Sequence, residues 1–294
     1  MKIGIASIDS KIPNLALMKI SAYHKSRGDR VELFNPLFSP YDLVYASKVF
    51  TDKPDDLYLP DNTIKGGSGY DLKSVLPTEI ESIYPDYSLF NCEYAMGFTS
   101  RGCIRNCPWC IVPKKEGKIK AVADIYQFWH GQSHLKLLDG NLTALPDHFE
   151  KILNQLIKEK IYVDFNQGLD IRLLTPEMAK LLSIVRLWKQ IHFAWDSMSY
   201  EHAVRRGIHI LSSFGMYRNK VMFYVLIGFD TTPEEDLYRV EVLRGLNIDP
   251  FVMPFNRRDE YQRKFARWVN HKAIFKSVGW EEYKICKEKI YAAS

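Results

Sequence analysis

The sequence has no apolar run approaching the roughly 20 residues that a membrane-crossing helix needs, so no spanning segment is expected. Its opening, MKIGIASIDSK, meets Asp9 before an apolar stretch of secretory length, which predicts a soluble, cytoplasmic protein. Cysteine is scarce, and an odd count of five argues against a secreted disulfide framework. Neither sign of charge dominates: 40 Lys and Arg against 35 Asp and Glu leave a net +5. That excess is compatible with a nucleic-acid substrate but falls short of the basic balance that would argue for one. The pairs Lys114–Lys115, Arg205–Arg206 and Arg257–Arg258 read as solvated surface. With 46% hydrophobic and 26% charged residues, the composition is globular. The length allows one large α/β domain, or a main domain with a smaller companion.

Periodicity supplies the organisation. KIGIAS reads as a strand, ALMKISAYHKSRG as an amphipathic helix closed by Gly28, and RVELFNP as a second strand stopped by Pro36. LVYASKVF is assigned to a further helix. Strand–helix–strand order over the first ninety or so residues suggests a small parallel sheet of Rossmann type. Gly66, Gly67 and Gly69 read as turn geometry in preference to ligand contact. Pro77 and Pro85 look like a connection between domains. From residue 93 a βα rhythm takes over. Strands are predicted at EYAMGFTS, HLKLLDG, IYVDFNQG, KQIHFAWD, KVMFYVLIGF and DPFVMPFN, with helices between them, the first near AVADIYQFW. Six such units match an open, partial β/α barrel, whose chemistry belongs at the C-terminal ends of the strands.

The strongest local signal is GFTSRGCIRNCPWCIVPKKEG. Cys103, Cys107 and Cys110, spaced Cys-x3-Cys-x2-Cys, can grip three irons of one cubane cluster, for which soft thiolates are suited. No fourth cysteine lies near, so one iron would stay open to a substrate. Trp109, between the last two cysteines, can shield the cluster or line a cofactor pocket. Zinc is the rival, held by Cys107, Cys110, His130 and His134 as Cys-x2-Cys and His-x3-His. Its central separation exceeds the roughly 12–15 residues of a finger linker, and it leaves Cys103 unexplained.

The cysteine motif and the βα units resemble the radical S-adenosylmethionine (SAM) superfamily over about residues 93–256. The resemblance implies a 4Fe–4S cluster on the three cysteines and SAM on the open iron. Cluster reduction would then release a 5′-deoxyadenosyl radical. Asp139, Gly140 and Asn141 stand where the family keeps a short glycine-and-acid motif for the methionine amino group, although two glycines and a glutamate are the usual form. Asn166, Gln167 and Asp170 would bond the ribose hydroxyls, and Arg172 would pair with the methionine carboxylate. Asp196 would face the same rim, and Ile227 and Gly228 would pack against adenine. Structural capping for Asp139 and Gln167, and a buried ion pair for Arg172 and Asp196, are the competing readings. No residue is assigned to catalysis on the substrate. A one-electron reductant of flavodoxin or ferredoxin type is the implied partner. The substrate is a small molecule, a peptide or RNA, and no membrane is involved.

The amino-terminal segment resembles the cobalamin-binding domain found ahead of many members. IDSKIPN lacks the Asp-x-His-x-x-Gly arrangement that supplies a histidine to cobalt, which counts against bound cobalamin but leaves it open. With only Cys92 and Cys286 remaining, a second three-cysteine cluster like that of the methylthiotransferases is not available. Cys92 reads as a small apolar residue. The expected layout is a Rossmann-like domain over 1–90, a radical SAM core of partial (β/α)6 form over 91–256, and a helical extension over 257–294. In that extension Trp268 and Trp280 are read as docking the helices in preference to stacking on an anionic substrate. The alternative function is a non-catalytic binding module stapled by zinc or iron–sulfur.

Overall fold

The computed structural model describes residues 1–283 except 11, 39, 56 and 57. Cys286 and the end of the helical extension lie outside the described residues. Packing divides the chain into two compact units, one of Met1–Asn106 with Cys110–Leu138, the other of Cys107–Trp109 with Asp139–Ser294.

The first unit opens with strand β1 (Lys2–Ser7), helix α1 (Leu15–Ser26), β2 (Arg30–Leu33), β3 (Leu43–Ser47) and β4 (Ile64–Gly66). All pairings are parallel and the order is β2-β1-β3-β4, the Rossmann-like sheet expected from the sequence. Asn14 starts α1 by accepting the Leu17 amide at 3.2 Å, and Gly28, at φ +83°, follows its end. Ile3 and Ile5 of β1 bury against Leu17 and Ile20 of α1 and against Ile80. Ile80 lies in α2 (Thr78–Glu81). The segment assigned to a helix at LVYASKVF is instead β3. Its Val44 and Ala46 alternate inward, and two-residue periodicity beside β1 outweighs any helical reading of so short a run.

The same unit continues with β5 (Ala95–Gly97), β6 (Ser100–Arg101), α3 (Val112–Glu116), β7 (Lys120–Ala121) and β8 (His134–Leu137). β5 and β8 pair in parallel, β6 and β7 antiparallel. The helix predicted near AVADIYQFW is a single 3-10 turn, Ile125–Gln127, started by the Asp124 side chain.

The second unit alternates regularly: α4 (Pro146–Lys158), β9 (Tyr162–Phe165), α5 (Pro176–Ile184), β10 (Arg186–Leu187), β11 (Ile191–Ala194), α6 (Glu201–Ser213), β12 (Val221–Ile227), α7 (Pro233–Gly245) and β13 (Asp249–Pro254). β9 with β10, and β11-β12-β13, pair in parallel. Helix α4 buries Phe149, Ile152, Leu153 and Leu156, the spacing of one helical face. Thr232 and Glu235 form a reciprocal capping box that starts α7. The chain then runs into α8 (Glu260–Asn270) and α9 (Lys272–Ser277). Trp268 of α8 is fully buried and packs 5.3 Å from Trp280, and Phe265 of the same helix packs edge-on against both rings, so these tryptophans dock helices. The fold is α/β with parallel sheets and C-terminal helices. No helix among the described residues is long and apolar enough to cross a membrane.

Candidate functional site

The cysteine segment is a loop tied at its base. The β6–β7 ladder closes it, pairing Ser100 with Ala121 and Arg101 with Lys120. Buried Thr99 accepts the amides of Val122 and Ala123 just outside that ladder. Gly102 turns the chain at φ +85°, where a Cβ would lie 2.4 Å from the Lys118 carbonyl oxygen, so only glycine fits. Glu116 straps the loop from the other side. Its carboxylate accepts the Gly102 amide at 2.9 Å and Arg101 Nη1 at 3.0 Å, while the Cys103 amide donates to Gly117. Arg101 also reaches Glu81 at 3.2 Å, and its guanidinium lies 3.5 Å above the Phe98 ring.

Cys103, Cys107 and Cys110 are all half-buried. The Arg105 amide donates to Cys103 Sγ at 3.3 Å. Among the described residues no three His, Cys, Asp or Glu side chains converge as the cage of a single ion requires. Three thiols are soft donors of the kind that iron–sulfur clusters take. The zinc set is not assembled: His130 stacks on Tyr84 at 4.0 Å, and His134 bonds Ser133 at 2.9 Å. Cys92 is half-buried; burial raises the pKa of its thiol, which donates to the Tyr94 carbonyl at 3.2 Å.

In the second unit the residues after successive strands form two runs of contacts, one aromatic and one polar. Trp109 packs edge-on against Phe229, 5.1 Å away just past β12, and Phe229 packs on Phe255, just past β13. Asp139 and Asn141 are buried, and Gly140 between them is half-buried. Asn141 Oδ1 accepts the Thr143 hydroxyl at 2.9 Å, and that hydroxyl oxygen accepts the Asp170 amide at 3.1 Å. Asp170 in turn holds Arg172 with two oxygens, at 2.6 and 3.0 Å, and the guanidinium lies 4.3 Å over the Tyr200 ring. Burial opposes the charge on Arg172, but the Asp170 bonds, with Tyr200 and the Cys107 thiol, outweigh it and raise its pKa. After β9, Asn166 is half-buried and Gln167 exposed. Gly168, at φ +89°, lets the chain pass close to the His192 carbonyl.

Asp196 follows β11. Its Oδ1 accepts the Leu226 amide at 3.1 Å, and burial raises its pKa despite that bond and the nearby Arg239 and Arg172. Gly228 follows β12 at φ +73°, its amide donating to Thr231. A Cβ there would meet the Gln262 amide at 2.1 Å, so the side chain of α8 lies directly on the Gly228 backbone. Sequence reasoning overlooked Gln262, Thr143, Tyr200 and Arg239. Arg239 is fully buried, bonding the carbonyls of Trp195 and Leu226 and the Asp236 carboxylate at 2.6–2.9 Å. Its i,i+3 spacing from Asp236 was the one signal available for it; the others carry none.

The architecture of a Rossmann-like parallel sheet followed by strand–helix units is similar to that of two solved radical SAM enzymes. Its solved neighbours include the radical SAM methyltransferase TsrM from Kitasatospora setae, with cobalamin and a [4Fe–4S] cluster bound. The TM-score is 0.63 at 11% identity, covering 86% of this chain and 74% of that one. The cobalamin-dependent SAM radical enzyme OxsB, with aqua-cobalamin bound, matches at a TM-score of 0.56 and 13% identity. That match covers 94% of this chain, which spans just over half (56%) of OxsB. No family model matches the sequence, and no curated protein does. At these identities the likeness is one of fold.

Proposed function

We propose that the chain is a radical SAM enzyme in which Cys103, Cys107 and Cys110 hold a 4Fe–4S cluster. The observation that carries the reading is the three-thiol loop, closed by Gly102 and Glu116, within the fold shared with two radical SAM proteins. When bound, the cluster supplies the electron that cleaves SAM to a 5′-deoxyadenosyl radical. The chain's part is to hold and orient. Asp139, Gly140 and Asn141 take the methionine amino group, and Gln167 the ribose. Arg172 meets the carboxylate once its grip on Asp170 loosens, Asp196 faces the same rim, and Gly228 meets the adenine. Trp109, against Phe229, excludes water from the cysteine side.

Anaerobic purification with iron and sulfide analysis, followed by electron paramagnetic resonance with and without SAM, tests the reading. A 4Fe–4S signal altered by SAM is expected in the wild type. Cys107→Ala is expected to lose cluster iron and SAM cleavage while keeping its helical content. Stoichiometric zinc without iron would instead establish the metal-stapled binding module. The substrate class, small molecule, peptide or RNA, is then read from deuterium exchanged with labelled SAM in a cell extract.

Cobalamin is a second reading, favoured by the cobalamin bound in both neighbours. At the C-terminal rim of the first sheet, Ser7 Oγ is buried with no hydrogen-bond partner among the described residues, and open space lies beyond Gly66. The loop after β1 has no histidine, so cobalt would be held without one. Cobalamin would supply a cobalt centre for group or electron transfer. Titration with aquacobalamin, followed by its visible spectrum, tests this reading.

A further inference from the structure

Gln262, in the first turn of α8, is only 7% exposed although its side chain is polar. Burying an amide is costly unless its donors and its acceptor find partners. The acceptor has one: Oε1 takes the Asn256 amide at 2.9 Å, just past β13. That bond settles which end of the amide is oxygen and which is nitrogen, because Nε2 turned to the Asn256 N–H would set donor against donor. The backbone of Gln262 is fixed as well, its N–H donating to the capping carboxylate of Asp259 at 2.8 Å. Nε2, by contrast, donates to no partner among the described residues.

The nitrogen end lies on the turn after β12. A Cβ at Gly228 would fall 2.1 Å from Nε2 and 2.5 Å from Oε1, so the amide covers the side of that turn from which a side chain would project. Phe229 directly follows Gly228, and Phe255 directly precedes Asn256; their rings pack edge-on with centroids 4.9 Å apart. Phe229 is half-buried and Phe255 is 52% exposed. Aromatic surface therefore stays open within one residue of each backbone group that Gln262 touches. Open aromatic rings and an oriented amide donor suit a planar nitrogen heterocycle. Stacking tolerates any flat ring, whereas the donor selects a ring nitrogen that carries a lone pair.

We infer that Gln262 Nε2 donates a hydrogen bond to a ring nitrogen of adenine, which makes α8 part of the SAM site and Gln262 its base-discriminating residue. The inference rests on the radical SAM reading, which brings adenine to Gly228, and adds the side chain that tells one base from another. Backbone and apolar contacts at Gly228 accept any flat ring. A donor whose orientation Asn256 holds accepts only a ring with a lone pair at the facing position; adenine offers N1, N3 and N7.

The test is equilibrium dialysis of 5′-deoxyadenosine and its 1-deaza, 3-deaza and 7-deaza analogues against the reconstituted protein, with iron and sulfide assayed on the same samples. This nucleoside has no amino-acid part to chelate iron, so its binding reports the base pocket with or without a cluster. Wild type is expected to bind one of the analogues about fivefold more weakly than the parent, the usual effect of one missing hydrogen bond at a nearly buried group. Gln262→Glu keeps the acceptor for the Asn256 amide and loses the donor. It is expected to bind the parent about fivefold more weakly than wild type does and to lose the preference for the parent over that analogue. Gln262→Met fills the space over Gly228 without a donor and is expected to lose the same preference, a second check should a buried carboxylate disturb folding. A purely structural role would weaken all four nucleosides alike and leave the preference in place, which overturns the inference. Equal binding of all four by wild type, or no nucleoside binding at all, overturns it too. A Gln262-dependent preference in protein that takes up no iron leaves the base pocket standing while the radical reading falls. A SAM-altered 4Fe–4S signal without that preference does the reverse.

Discussion

The strand ends of the two units spend their polar groups differently. In the first sheet, Ser7 Oγ apart, they are consumed locally. Asp9, after β1, accepts the Val49 and Phe50 amides after β3, and Asn14 bonds Ser47 at 2.8 Å. Gly67 and Gly69 exist to clear backbone, since a Cβ would lie 2.4 Å from the Lys48 carbonyl oxygen at the one and 2.8 Å from that of Phe50 at the other. In the second unit the strand ends hand contacts on, from Asn141 through Thr143 and Asp170 to Arg172 and Tyr200. Local satisfaction closes a loop; a relay of side chains keeps charged groups at a rim where a ligand can compete for them.

The contrast makes graded predictions. Gly102→Ala has the largest effect, because the new Cβ meets backbone in a left-handed turn at a cost of about 1–3 kcal/mol. Iron per chain after reconstitution should fall several-fold with the rest of the fold retained by circular dichroism. Asp170→Ala comes next, since it strips the half-buried Arg172 of its bidentate partner. About 1–2 kcal/mol of stability should go, and the SAM Kd from equilibrium binding should weaken about tenfold. An unchanged SAM Kd would make this pair purely structural and erase the distinction between the two rims.

Asp9→Ala should cost about 1–2 kcal/mol in chemical denaturation, for the lost backbone bonds, and leave SAM cleavage intact. If it removes aquacobalamin binding instead, the first rim is a ligand site as well. The smallest effect is a pH dependence. Burial raises the Asp196 pKa, so its ionised form weighs against the fold; this penalty is absent in acid and grows as pH rises through the folded-state value. Asp196→Asn keeps an acceptor for the Leu226 amide. Its melting temperature should match wild type in acid and exceed it slightly at neutral pH. A gain confined to acid would reverse the sign and reject the explanation.

Most of the second unit was legible because its strands and helices are long and periodic. β12 alternates buried Val221, Phe223 and Val225, and α4 repeats its apolar face without a break. Errors fell on short segments. LVYASKVF has too few residues to separate the two periods, and the 3-10 turn at Ile125–Gln127 sits in a stretch that merely resembles a helix. Among candidate site residues, the glycines and charged groups that follow strands could be picked out by position alone. Their partners could not: Gln262 reaches Gly228 from a helix thirty-odd positions later, and Arg239 meets the Trp195 carbonyl across a comparable gap.

Chain chemistry alone supplied three thiols at short intervals and the parallel α/β class, because both depend on local spacing. Three-dimensional packing settled which charges are already spoken for. Glu116 is turned into its loop, Asp170 grips Arg172, and Asp196 is pushed toward its neutral form. Such assignments rest on distances between residues far apart along the chain and on how much water each retains, and neither quantity is written in the order of amino acids.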